Sequence, residues 1–378
     1  MRGFFRAALL AAVPWLAGSG CPLTGPIDSG EPRGTRIDIQ EYVAAAAFPT
    51  ALAVAPDGRV FYTEKETGRV RVVSAAGELR PEPFAEVPVV SLSERGLLGI
   101  ALHPDFEQNG YVYLFYTRSA AGAGSSLLGE PLDNRVVRFR AAGDVADGPE
   151  TLILSLPATP GPNHNAGHLA FGPDRKLYVS LGDLAVSARA QDLDSPAGRI
   201  LRLNDDGSVP DNNPFGAGNP TYCLGLRNSF GLAFDPVSGA LWATENGTSN
   251  HDEVNRLIAG GNCGWPLVQG FVESPPAVAA GTYVNPAVDY SEGSVVPTGI
   301  AFAPDAVFGA ASRHQLFVAQ YRTGRILRYT LNEARDGVIE EAVFAQAIAD
   351  GITDLAFGPD GHLFVATGRQ ILRIVPVP

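Results

Sequence analysis

Three short runs carry residue types that could do chemistry. Asn163-His164-Asn165 sets an imidazole between two amides. A histidine near its working pKa can take a proton from an alcohol during oxidation, or return one to a leaving group. Arg227-Asn228 joins a cation to an amide, a pair able to clamp a carboxylate or quinone oxygen. Glu245-Asn246-Gly247-Thr248-Ser249-Asn250-His251-Asp252-Glu253 is an acidic, glycine-bearing turn whose carboxylates and carbonyls suit Ca²⁺. Each run also has a plainer reading: a hydrogen-bonded loop histidine, an arginine paired with Glu94 or Asp183, and a solvated acidic loop. His164 and His168 are four apart, but no cysteine or further histidine joins them, so zinc is not supported. His103, His251, His314 and His362 sit in or beside turns and read as structural, and the oxygen-rich run 205–214 reads as an Asx-turn loop.

The elements that must position these residues come from a repeat. One phrase recurs: an apolar strand, a turn on Pro-Asp or Asp-Pro, and a second aromatic or β-branched strand. Its copies are LAVAPDGRVFYTE (52–64), IALHPDFEQNGYVYLFYT (100–117), LAFGPDRKLYVSLGD (169–183), LAFDPVSGALWATENG (232–247), IAFAPDAVFGAASRHQLFVAQY (300–321) and LAFGPDGHLFVATG (355–368). Most are followed by a third strand with a basic start, such as GRILRLND (198–205). Alternation in Lys176-Leu177-Tyr178-Val179-Ser180 has strand period, and no long amphipathic helix stands out. A repeat of roughly 60 residues with three or four short strands reads as a propeller blade. One such sheet cannot bury both faces alone, so the copies predict an all-β, six-bladed β-propeller of four-stranded antiparallel blades. Residues 36–43 are expected to close the ring beside 370–375.

In such a ring, the segments just before each first strand converge on one rim of the axis. They are 48–50, 93–96, 163–168, 225–229, 294–298 and 350–354, and they hold Glu94, His164, Arg227, Asn228 and Asp354 where plain strand entries need none. Loops on a rigid scaffold are where function concentrates.

Composition narrows the rest. A formal charge of −12 argues against a nucleic-acid partner, which would need a basic face. Residues 1–21 read as an export segment: a basic start, an apolar run from Ala7 to Ala17 too short to span a bilayer, and Gly18-Ser19-Gly20-Cys21 resembling a lipobox. The usual Leu three residues before Cys21 is instead Leu16. Residues 22–34 read as a Pro/Gly-rich tether before a propeller over 35–378, in the periplasm or cell envelope or secreted. Cys223 and Cys263 could form a disulfide or stay as buried thiols.

The runs GLLGIALHPDF (96–106), NHNAGHLAFGPDRKLYVSLGD (163–183), GRILRLNDDGSVPDNNPF (198–215), GLRNSFGLAFDP (225–236), DEVNRLIAGGNCGWP (252–266) and TDLAFGPDGHLFVATG (353–368) resemble the glucose/sorbosone dehydrogenase family. The resemblance implies a quinoprotein: pyrroloquinoline quinone (PQQ) over the channel mouth, Ca²⁺ polarising it, and a sugar oxidised at its anomeric carbon. His164 would be the base and Asp183 its orienting carboxylate. Arg227 would contact quinone and substrate oxygens. Glu94, Asn228 and Arg322 would stand at cofactor-binding positions. Gly247 and Thr248 would offer carbonyls to the cofactor calcium, while Glu253 and Cys263, near Asp252, match a second calcium position. The chain departs from the pattern at Gly351 and Thr353, where arginines are expected, and at Glu94, where the family has Gln. Arg95 and Arg325 are candidates to restore the missing charge. Two other readings stay open: a non-catalytic glycan- or protein-binding propeller resembling hedgehog-interacting ectodomains, which the ERGLL form at 94–98 suits, and a metal-dependent lactonase using Glu94, Asn163 and Asn228.

Overall fold

The computed structural model describes residues 25–27, 36–120 and 126–377. The export segment and Cys21 lie outside the described residues. Among the described residues, helix is confined to short turns, Phe106–Asn109, Ser187–Gln191 and Ala310–Ser312. Everything else regular is strand, and the strands form a β-propeller arrangement of small sheets.

Each copy of the turn phrase becomes a hairpin. The first strands are Pro49–Val54, Leu97–Leu102, Leu169–Phe171, Ser229–Phe234, Pro297–Phe302 and Ile352–Phe357. Each pairs antiparallel with the strand after its turn, as Leu52 pairs with Tyr62 and Leu355 with Val365. The third strands follow, so that Val179 faces Leu201 across the register. Asp and Asn side chains close the turns by bonding backbone N–H two residues on; Asp57 takes Arg59 N at 3.1 Å and Asp174 takes Lys176 N at 3.1 Å.

The core lies between sheets. Phe61 and Val72 of one sheet pack with Ile100, Leu114 and Val137 of the next. Tyr113 and Val136 meet Leu177 and Leu201, and Ile200 and Cys223 meet Leu232 and Leu241. Trp242 and Val254 meet Leu316 and Leu327, Phe317 and Ile326 meet Leu363 and Leu372, and Phe364 and Ile371 return to Leu52 and Tyr62. Fully burying each such side chain stabilises the fold by about 1.5–3 kcal/mol. Thus no sheet has a dry face without its neighbours.

Two findings correct the sequence expectation, and a third decides between alternatives that the sequence leaves open. The sheets are not uniformly four-stranded and antiparallel. The one opened by Leu169–Phe171 has six strands, and Thr221–Leu224 pairs parallel with Gly261–Asn262, which pairs parallel with Thr282–Tyr283. There the long connection after Asp252–Leu257 crosses to the neighbouring sheet and caps its edge, which would otherwise leave N–H and C=O groups unpaired. The run 22–34 is also not wholly a tether. Gly25–Ile27 pairs antiparallel with Ile37–Ile39 and covers another open edge. Finally, Cys223 and Cys263 are buried free thiols, and burial pushes the Cys223 thiol up to about 12 and the Cys263 thiol well above its usual value. The closing strand is found where it was expected: Ile37–Val43 pairs antiparallel with Ile371–Pro376.

Candidate active site

The segments before the first strands share an unusual backbone. Phe48, Ser93, His164, Val296 and Asp350 all lie in the left-handed region, with φ of 54°, 56°, 61°, 54° and 65°. For a β-branched residue such as Val296 this is an outlier, and such strain gathers at functional sites. The turns swing side chains over the axis, where a cavity of about 410 Å³ opens. His164, Glu94, Arg227, Asn228, Thr248 and Arg322 all line it.

His164 is held from two sides. Its Nδ1 lies 2.6 Å from Asp183 Oδ1, and its backbone N–H donates to Glu94 Oε2 at 2.7 Å. Asp183 is 1 % exposed, and its other oxygen accepts the Trp265 indole N–H at 2.9 Å. Ala185 N–H donates to Asp183 Oδ1 at 2.8 Å. With that carboxylate accepting, the neutral form of the ring carries its proton on Nδ1 and presents the Nε2 lone pair. The same Glu94 oxygen accepts Asn228 Nδ2 at 3.0 Å, while Asn228 Oδ1 accepts Ala166 N–H at 3.1 Å. Glu94 therefore ties His164 and Asn228 together across three sheets.

Arg227 pairs with neither Glu94 nor Asp183. Its Nη1 donates to the Asn246 carbonyl at 2.9 Å, and its guanidinium lies 5.7 Å from the Trp265 ring centroid. The backbone N–H groups of Arg227 and Asn228 both donate to Glu245 Oε1, at 2.9 and 2.6 Å. Arg322 is exposed at the rim and donates to the Ser294 carbonyl at 3.3 Å.

The acidic loop divides between two jobs. Asp252 is fully buried. Its Oδ1 accepts Gly247 N–H at 2.8 Å, and its Oδ2 accepts Ser294 Oγ, Val295 N–H and Val296 N–H at 2.9, 2.7 and 2.8 Å. It braces the loop through hydrogen bonds. Thr248 is held by Gln269, whose Oε1 accepts its N–H and its hydroxyl at 3.2 and 3.0 Å. Beneath Gly247 a small chamber is lined by Glu245, Glu253 and Cys263. Glu253 accepts Gly270 N–H at 2.7 Å and Asn255 Nδ2 at 2.8 Å. Burial pushes Glu245 up to about 8 and Glu253 up to about 7. Asn246 Oδ1, in the same wall, is buried with no hydrogen-bond partner. Among the described residues no group of three His, Cys, Asp or Glu side chains could hold a metal by itself. A cation here would depend on carbonyl oxygens as well.

Sequence reasoning missed other residues. Lys65, from the end of a second strand, reaches the same cavity and is 8 % exposed. Its signal was rarity: the chain has two lysines, Lys65 and Lys176, among 28 basic residues. Tyr321 lines the cavity where no aromatic was foreseen. Arg95 does not line it; its Nη2 donates to the Ala158 and Gly161 carbonyls at 2.7 and 3.1 Å. Arg325 is also outside the cavity wall. Gly351 and Thr353 are built into the frame. A Cβ on Gly351, at φ 66°, would lie 2.5 Å from the Tyr321 ring, and Thr353 Oγ1 donates to the Pro49 carbonyl at 2.8 Å.

The chain resembles known proteins along most of its length. The description "Glucose / Sorbosone dehydrogenase" matches residues 46–375. The chain is 31% identical over 350 residues to the aldose sugar dehydrogenase YliI of Escherichia coli, covering 87% of this chain and 90% of that protein. It is 33% identical over 294 residues to quinoprotein glucose dehydrogenase B of Acinetobacter calcoaceticus, covering 70% of this chain and 60% of that one. The PQQ-bound form of an aldose sugar dehydrogenase from Streptomyces coelicolor superposes with a TM-score of 0.72 at 28% identity, over 90% of this chain and 98% of the other. With a match running through nearly the whole ring and the site built on its rim, the chain belongs to the glucose/sorbosone dehydrogenase family.

Proposed function

We propose that the protein is a PQQ- and calcium-dependent dehydrogenase that oxidises aldose sugars at the anomeric carbon. The observation that carries this reading is the Asp183-braced His164 on the wall of a cavity large enough for a planar cofactor. The wall suits an anionic quinone. Lys65, Arg227 and Arg322 supply cations, none of them in an ion pair among the described residues. Asn228 and the carbonyls of Gly247 and Thr248 are the remaining candidates for holding the cofactor and its calcium, and Glu253 with the Cys263 carbonyl for a second calcium. When bound, PQQ supplies a two-electron acceptor for the sugar.

The chain's own groups do the rest. His164 Nε2 takes the anomeric hydroxyl proton, and Asp183 steadies the imidazolium that results. Arg227 fixes an oxygen by direct donation, while Trp265 holds both Arg227 and Asp183 in place. Glu94 sets the spacing of His164 and Asn228 through its shared oxygen. We read the ring as six blades, one for each copy of the turn phrase. We read residues 1–21 as exporting the chain, with electrons passing to an acceptor in the envelope.

The test is a titration of PQQ with Ca²⁺, followed by quinone absorbance and by dye reduction with a panel of aldoses. We expect binding and turnover in the native protein, and a loss of turnover of roughly 10²- to 10⁴-fold in His164→Ala with binding retained. No binding at high cofactor concentration sinks the dehydrogenase and leaves the non-catalytic binding ring. A slow hydrolysis of lactones with no quinone signal would favour the lactonase.

A further inference from the structure

We propose that Lys65 is a cofactor-binding residue, its ammonium holding one carboxylate of PQQ. This rests on reading the cavity as a PQQ site and adds to it a residue placed by structure alone. Lys65 lines the cavity yet is 8 % exposed, so its charge is largely withdrawn from bulk water. Burial holds its pKa below the usual lysine value. Among the described residues it makes no ion pair. Its ammonium donates to the Ser91 carbonyl at 2.9 Å, and two of its three N–H donors have no protein acceptor. Buried charges are ordinarily paired, because a lone one is costly. An unpaired ammonium on a cavity wall is therefore set for an anion that arrives with the ligand.

The surroundings are built for it. Lys65 N–H donates to the Phe48 carbonyl at 3.0 Å, and its own carbonyl accepts Leu97 N–H at 3.1 Å, so its backbone is fixed between two strand entries. A Cβ on Gly96, at φ 138°, would lie 2.6 Å from Lys65 Cγ, so the glycine makes room for the lysine stem. The ammonium sits 5.5 Å from the Phe48 ring centroid. Thr353, which closes the same part of the wall onto Pro49, has its hydroxyl committed to that carbonyl and offers no charge. A planar tricarboxylate entering beside Phe48 and Thr353 meets Lys65 as the cation on that side.

The experiment compares PQQ binding, in the presence of Ca²⁺, by the native protein, Lys65→Met and Lys65→Gln. A lost charge-assisted hydrogen bond predicts binding weakened by roughly 10- to 100-fold in both variants. In parallel, acetylation of the native protein is mapped by mass spectrometry, with Lys176 as internal control. Bound PQQ should protect Lys65 and leave Lys176 labelled. This second arm needs no variant to fold. If PQQ binds the native protein but neither protects Lys65 nor binds the variants less tightly, the proposal is overturned while the dehydrogenase stands. If PQQ does not bind the native protein at all, both are overturned.

Discussion

His164 can act only if its ring is held, and Asp183 holds it at 2.6 Å while itself pinned by Trp265 and Ala185. Asp183→Asn should cut kcat by roughly 10²-fold or more while leaving PQQ affinity within a few-fold, since the amide can donate to Nδ1 and so favour the other tautomer. Unchanged kcat would mean that the carboxylate is only structural. His164, Arg227 and Asn228 stand out in the sequence because polar types crowd strand entries that need none, whereas Asp183, just past the end of a second strand, stands out only through the family resemblance. Lys65 was not, since it follows Thr63-Glu64 at a strand end and reads as one more solvated charge. Only the approach of the Phe48, Ser91 and Gly96 segments turns that lysine inward.

The strand entries are joined from sheet to sheet by threonines. Thr50 Oγ1 donates to the Leu97 carbonyl at 2.7 Å, Thr298 Oγ1 to the Ile352 carbonyl at 2.7 Å, and Thr353 Oγ1 to the Pro49 carbonyl at 2.8 Å. Each bond crosses to the next sheet beside the cavity. Thr353→Val keeps the shape but leaves the Pro49 carbonyl without this donor. We expect a loss of about 1–3 kcal/mol of stability in denaturant unfolding. Positions 351 and 353, where arginines are expected, are both taken up by the frame. Thr353 is used for closure, and Gly351 needs its left-handed φ beneath Tyr321. Gly351→Arg should therefore destabilise the protein by more than about 1 kcal/mol rather than tighten PQQ binding, as thermal unfolding and the binding titration would both register.

At the scale of the whole molecule, first and last sheets must meet. Ile37–Val43 adds to Ile371–Pro376, and Asp354 Oδ2 accepts Leu52 N–H at 2.8 Å across the joint. Deleting 36–43 should lower the melting temperature sharply; no change would refute closure by this strand. Burial raises the Asp354 carboxyl from its usual 3.8 to about 7, despite the N–H donors of Leu52 and Leu355. The folded chain thus keeps a proton that the unfolded chain releases near pH 4. Its contribution to stability is complete below that pH and is lost as pH rises towards 7. Glu245 and Glu253 titrate with the same sign. Asp354→Asn should flatten the decline of melting temperature between pH 5 and 8, and an unaltered slope would exclude this group as a cause.

Local patterning by itself determined the all-β repeat, the turn chemistry, the closing strand and the polar strand entries. Those follow from strand period and from what Asp, Asn, Gly and Pro do to a backbone two residues away. Only the tertiary structure decided the parallel edge at Gly261–Asn262, the use of Asp252 as a brace, the free thiols and the inward turn of Lys65. Each of these depends on which groups meet across sheets far apart in sequence. Burial and pairing are properties of that meeting, and no single segment carries them.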